Sequence, residues 1–201
     1  MANTDTPRGF TPFGETLHVG YYAVPTAPTI NICVGDIVIE DVTNIISKKL
    51  GVGVAVYDAA VVPATTGNDR LVLGAVVGVF DHHMNAIQYL APGTVGDATV
   101  AGYVAVADDP NQQFLAQAST AVATADFELN YEIGSATLSA PDARTGLSTQ
   151  EITITGANVT DTIPIRLVRQ ITTDDVASAA GCRFVCQINP LCHRYGAGTT
   201  I

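Results

Sequence analysis

Val104-Ala105-Val106-Ala107-Asp108-Asp109-Pro110-Asn111-Gln112-Gln113-Phe114 is the stretch on which the reading of this chain turns. Thr99 to Ala107 runs nine residues without proline and is rich in Val and Tyr, the composition of a pleated strand. Alternation puts Val104 and Val106 on one face and Tyr103 and Ala105 on the other. Both faces are apolar, so the strand is expected to be covered on both sides. Asp109-Pro110-Asn111-Gln112 then has turn chemistry. Pro110 presets φ for the second turn position, and Asp109 can accept a bond from the backbone two residues on. Gln113 to Gln117 resumes an extended pattern, which predicts a hairpin.

Outward from this centre the punctuation is regular. Strands are predicted at Ile37–Glu40, Val52–Tyr57, Leu71–Phe80, Ile87–Leu90, Glu151–Thr155, Ile163–Ile171 and Phe184–Ile188. Glu151 to Thr155 alternates polar with apolar, so one of its faces is expected to be wet. Strands at this spacing with turns between them point to a mainly β fold, an antiparallel β-sandwich or a barrel-like core. One or two short helices are expected as well: a turn capped by Thr124 through Asp126 to Tyr131, and the better-signalled Thr173–Ala180, where a capping Thr, first-turn acids and the Gly181 stop coincide. Residues 1–30 hold Pro7, Pro12, Pro25 and Pro28 and show little periodicity. They read as an extended N-terminal arm anchored by Phe10, Phe13, Tyr21 and Tyr22, preceding a single β-rich domain over 31–201.

Composition narrows the function. Apolar residues make up 47% of the 201 and charged residues 14%, against about 25% charged in an average domain. No apolar run reaches the roughly 18 residues that span a bilayer. The surplus apolar surface is therefore assigned to a core plus subunit contacts. The net charge of −10 speaks against a nucleic-acid face, which needs clustered Lys and Arg. The N-terminus lacks the basic and apolar regions of a secretory signal, so synthesis in a reducing cytoplasm is expected.

Chemistry has few footholds. Cys182, Cys186, Cys192 and His193 contain zinc-ligand types. On a strand, however, Cys182 and Cys186 would stand roughly 13 Å apart at ~3.3 Å per residue, too far for one metal or a disulfide. They and Cys33 read as core thiols. His82 and His83 follow an apolar strand and read as a turn, because neighbouring strand residues point to opposite faces. His18 has no identifiable partner in the sequence. Asp108, Asp109 and Asn111 lack the ligand spacing of a calcium loop. No nucleophile elbow or phosphate-cradling loop is present. No nucleophile–base pair can be proposed from the sequence, and triads assemble from distant positions.

Several stretches together resemble the capsid decoration, or cement, proteins of tailed bacteriophages. They are Met1-Ala2-Asn3 with Pro7-Arg8-Gly9-Phe10-Thr11-Pro12, Val34-Gly35-Asp36-Ile37-Val38, and Leu73-Gly74-Ala75-Val76-Val77-Gly78-Val79-Phe80. The central Val-Ala-Asp-Asp-Pro-Asn-Gln, then Cys186-Gln187-Ile188-Asn189 with His193 and the closing Gly196-Ala197-Gly198-Thr199-Thr200-Ile201, complete the series. The chain departs from the family's pattern at Pro190-Leu191-Cys192, which interrupts the ending. The resemblance implies a non-enzymatic, head-stabilising virion protein with no cofactor, metal or small-molecule substrate, bound to the outer capsid surface and tying neighbouring major capsid protein subunits together as a homo-oligomer, often a trimer. Arg8, Phe10, Phe13, Tyr21, Tyr22, His193 and Tyr195 are its implied capsid or subunit contacts. Two alternatives stay open from the residues alone: another β-rich virion component such as a tail or fibre module, and a metal-binding enzyme.

Overall fold

The protein's structure, a computed structural model, describes residues 8–41, 53–56, 72–122, 128–134, 145–158, 164–171, 181–190 and 192–193. Its strands in chain order are β1 (Thr11–Pro12), β2 (Val19–Pro25), β3 (Ile32–Cys33), β4 (Ile37–Asp41), β5 (Gly53–Val56), β6 (Val72–Asp81) and β7 (Ala86–Ile87). They continue with β8 (Tyr89–Leu90), β9 (Val100–Ala107), β10 (Gln113–Gln117), β11 (Asn130–Gly134), β12 (Glu151–Asn158), β13 (Ile165–Gln170) and β14 (Arg183–Ile188). The fold is mainly β, as its alternation and turn spacing predict, and no helix occurs among the described residues. Tyr131, expected to close a helix, lies in β11 instead, where its ring is buried on alternate faces with Glu132. The expected helix over 173–180 falls outside the described residues.

One sheet runs β4-β5-β2-β9-β6-β7, and a further pairing of β4 with β6 joins its two sides. Five strands thus curl into a barrel-like ring, which leaves few strand edges open. The second sheet runs β1-β10-β14-β13-β11-β12, and β3 with β8 forms a small ribbon. Inside the ring, Val24, Val38, Leu73, Val76, Val79, Val104 and Val106 make one core cluster. A second cluster joins the sheets, bringing Phe10, Ile37 and Ala107 against Phe114, Tyr131, Ile152, Leu167 and Phe184. β-branched residues dominate the ring because their stiff side chains pack well on a pleated surface.

β9 meets the expectation of a strand covered on both faces: Val104 and Val106 have no exposure and Ala105 only 4%. The predicted hairpin is corrected. β9 pairs with β2 and β6, whereas β10 pairs with β1 and β14, so the turn carries the chain from one sheet to the other. The turn itself forms as its residues require. Gln112 N–H donates to the Asp109 carbonyl at 3.0 Å, and Asn111 N–H to Asp109 Oδ1 at 2.8 Å.

The extended arm is corrected too over residues 8–30. β2 lies inside the ring between β5 and β9, its register running from Val19↔Ala107 to Tyr22↔Val104. Its apolar residues are better hidden between two strands than along an open arm. Phe10 is fully buried among this chain's own core residues. Gly9 makes that possible. It has φ +68°, and a Cβ there would stand 2.4 Å from the Gly35 carbonyl oxygen. Phe10 N–H donates to that same oxygen at 2.8 Å. Two motifs far apart in the sequence, Arg8-Gly9-Phe10 and Val34-Gly35-Asp36, therefore meet backbone to backbone.

Candidate functional site

Because β1 pairs with β10 and β2 with β9, the connections 13–18 and 108–112 pass between the two sheets side by side. They are tied along their length. Phe13 N–H donates to the Gln113 carbonyl at 2.8 Å, and Leu17 N–H to Gln112 Oε1 at 3.0 Å. At the ring end of this double crossing the inward series Val104, Val106 reaches Asp108, which is 3% exposed. Asp108 Oδ1 lies 2.5 Å from His18 Nδ1, and Oδ2 accepts the Tyr22 hydroxyl. Gly20 leaves room for this group, since a Cβ there would stand 2.6 Å from Asp108 Oδ2 and 2.8 Å from the Tyr22 ring.

These residues line an open pocket of about 360 Å³ at one mouth of the ring, with His18, Gly20, Tyr21, Tyr22, Asp108, Asp109 and Pro110 around it. Barrel mouths are recurrent binding places because strand ends and connections converge there. The hydrogen bond to Asp108, reinforced by its charge and by that of Asp109, raises the His18 pKa above the ordinary value. His18 remains largely exposed, so its imidazole exchanges freely with water.

The outer face beside the pocket is apolar. Leu17 is 53% exposed, Val19 37% and Tyr21 60%; Val19 and Tyr21 project to one side of β2, and Leu17 lies in the connection just before it. Tyr21 packs against Phe80 in a tilted pair with ring centroids 5.8 Å apart. Phe80 lies opposite Tyr103, and Gly78 opposite Ala105, on the neighbouring strands. The small residues leave the two aromatic rings standing above the sheet.

The implied contact residues separate into groups. Tyr21 and Tyr22 belong to the pocket and its rim. Phe13 is half-buried, with the Arg169 guanidinium 5.3 Å from its ring centroid, a cation–π distance. Arg8 is exposed next to the Gly9–Gly35 contact. Phe10 and His193 are corrected as surface contacts, because neither has any exposure within this chain. His193 pairs with Val72 as an isolated bridge, donates its N–H to the Asn189 carbonyl at 3.0 Å, and has its pKa lowered by burial. Tyr195 lies outside the described residues.

His18 acquires in Asp108 the partner that its sequence neighbourhood does not show. Asp108, expected to serve turn geometry alone, is the hub of the pocket. No local pattern could pair them, because the connection depends on β2 lying against β9. Among the described residues no three His, Cys, Asp or Glu side chains form a metal-binding group. Cys33, Cys182, Cys186 and Cys192 are free and buried. His82 and His83 occupy a turn and bring their rings to 3.8 Å, which strand geometry would forbid. Asp81 fastens that turn, its Oδ1 accepting the N–H groups of His83 and Asn85 at 2.8 Å each. Compared with known proteins, the chain matches no family model, no curated protein and no solved structure.

Proposed function

We propose that this chain is a structural virion protein of a tailed phage, attaching to the outer capsid surface and tying neighbouring major capsid subunits together as a homo-oligomer. The observation that carries the reading is the exposed row Leu17, Val19 and Tyr21 beside the ring mouth. A row of large apolar side chains at the surface has a use when another protein covers it. The charge of −10 supports an outward position, away from packaged nucleic acid. The resemblance of the Gly9, Gly35 and Asp108–Gln112 stretches to capsid decoration proteins supplies the partner.

The test is sedimentation of the purified protein with purified capsids and, separately, with tails. The expected outcome is co-sedimentation with capsids at saturable occupancy, lowered by Leu17→Asp or Tyr21→Lys in variants with unchanged melting. Equal binding to tails, or full capsid occupancy by both variants, would overturn it.

A further inference from the structure

We propose that the ring-mouth pocket receives a basic side chain, an arginine or lysine, of the partner protein, seated against Asp109 and Asp108 in competition with His18. The identity of the partner rests on the capsid reading above, whereas the chemistry of the occupant rests on the pocket alone.

The pocket's lining is mostly apolar in surface, with Asp108 and Asp109 as its acidic residues. Asp108 follows the end of β9 and Asp109 takes the first position of the turn, and both residues line the pocket. Asp109 is half-buried, and among the described residues the one hydrogen bond of its side chain is that accepted by Oδ1 from Asn111. Its second oxygen can take a new donor without any native bond breaking. Arg8, Arg166, Arg169 and Arg183, the described arginines, are absent from the lining, so among the described residues the basic group at the carboxylates is His18. The chain's charge of −10 is complementary to a basic group supplied by a partner. Guanidinium groups suit them, since a planar fork of donors matches carboxylate oxygens. The row Leu17, Val19 and Tyr21 beside the mouth gives the rest of the incoming segment an apolar surface to lie on.

His18 makes the docking pH-dependent. The charged groups acting on it are Asp108 and Asp109; the Tyr22 hydroxyl shares Asp108 with it, and buried His193 also feels both carboxylates. When protonated, His18 neutralises Asp108 and repels an incoming cation. When neutral, it leaves both carboxylates exposed to the incoming charge.

The experiment titrates the full chain with Nα-acetyl-arginine amide and with its uncharged citrulline counterpart, following backbone amide resonances. The arginine probe is expected to shift Gly20, Tyr22 and Asp109 saturably and the citrulline probe to shift them far less. Asp109→Asn keeps the turn acceptor and removes the charge. It should weaken arginine binding about fivefold. Asp109→Lys should abolish binding by seating its own ammonium in the pocket. Wild-type binding should be weaker at about pH 5.5 than at about pH 8, and His18→Gln should erase that difference. Equal responses to arginine and citrulline, or shifts elsewhere on the protein, would overturn the pocket assignment. Particle sedimentation separates the two readings. If the wild type ignores capsids yet binds arginine, the virion role fails and the pocket stands. If Asp109→Lys loses arginine but keeps full capsid occupancy, the docking proposal fails and the virion role stands.

Discussion

Asp36 shows how a residue chosen for a turn acquires a pH dependence. Its carboxylate accepts the Cys33 N–H at 2.7 Å, closing the turn between β3 and β4, but the side chain is 5% exposed. Burial pushes its pKa from 3.8 up to about 7, against the hydrogen bonds from Ser148 and Cys33. The folded state therefore holds a proton that the unfolded chain releases at a lower pH. By linkage its contribution is complete below about pH 4 and is lost as pH rises through about 7. Asp36→Asn keeps an acceptor and has no charge to bury. Melting temperatures of wild type and variant should diverge in the variant's favour between about pH 4 and 7. Parallel curves would refute the burial argument. His18 adds stability of the same sign at higher pH, present below its ordinary pKa and lost above its raised one, while buried His193 opposes both at the acid end. The thiols offer a second check. All four cysteines are buried, and burial pushes the Cys33 thiol up to about 12. A thiol reagent should label none in the native protein and all after denaturation. Rapid native labelling would show that a cysteine has been placed wrongly. That these thiols are core residues was legible from their type and spacing. The protonation of Asp36 was not, because it depends on burial that only the assembled fold supplies.

At the scale of elements, β9 was the most legible part of the chain and its continuation the least. Nine residues apolar on both faces could only be a covered strand, and β9 is one. Val104→Asp would set an uncompensated carboxylate inside the ring, so no soluble folded protein is expected on expression. A normally folded variant would remove β9 from the centre of the fold. The turn is a milder matter. Asp109→Ala loses the bond from Asn111 and Pro110→Gly loosens the unfolded chain, each at a cost of about 0.5–1 kcal/mol, readable in denaturant melts. What local chemistry could not tell is that this turn leads away from its own strand. Turn residues set the direction of the next segment, but the choice of pairing partner belongs to the whole sheet. The same limit hid β2. Gly20, Pro25 and paired tyrosines weaken its alternation, and only the company of β5 and β9 makes it a strand. The pocket, which depends on that pairing, was correspondingly invisible apart from Tyr21 and Tyr22.

For the molecule as a whole, the N-terminal stretch is part of the fold's foundation. Phe10→Ala should cost about 3–5 kcal/mol, the usual penalty for emptying a large aromatic site. That is a large share of the ~5–15 kcal/mol that holds a domain together. Deleting residues 2–14 would remove β1 and Phe10 together, so denaturant unfolding should show a destabilised or unfolded chain. An unchanged midpoint would restore the picture of an independent arm. The position of β2 also bears on how the protein is made. Val19 pairs with Ala107, so β2 has no β9 to lie against until residue 107 has left the ribosome. At ~5–20 residues per second the nascent chain carries an apolar strand with its β9 side unpaired for several seconds. Polysomes place many such strands close together, and each can pair with a copy of itself before its proper neighbour exists. Slower growth of the culture or a chaperone that shields emerging chains should therefore raise the soluble yield, while leaving the stability of the finished protein untouched.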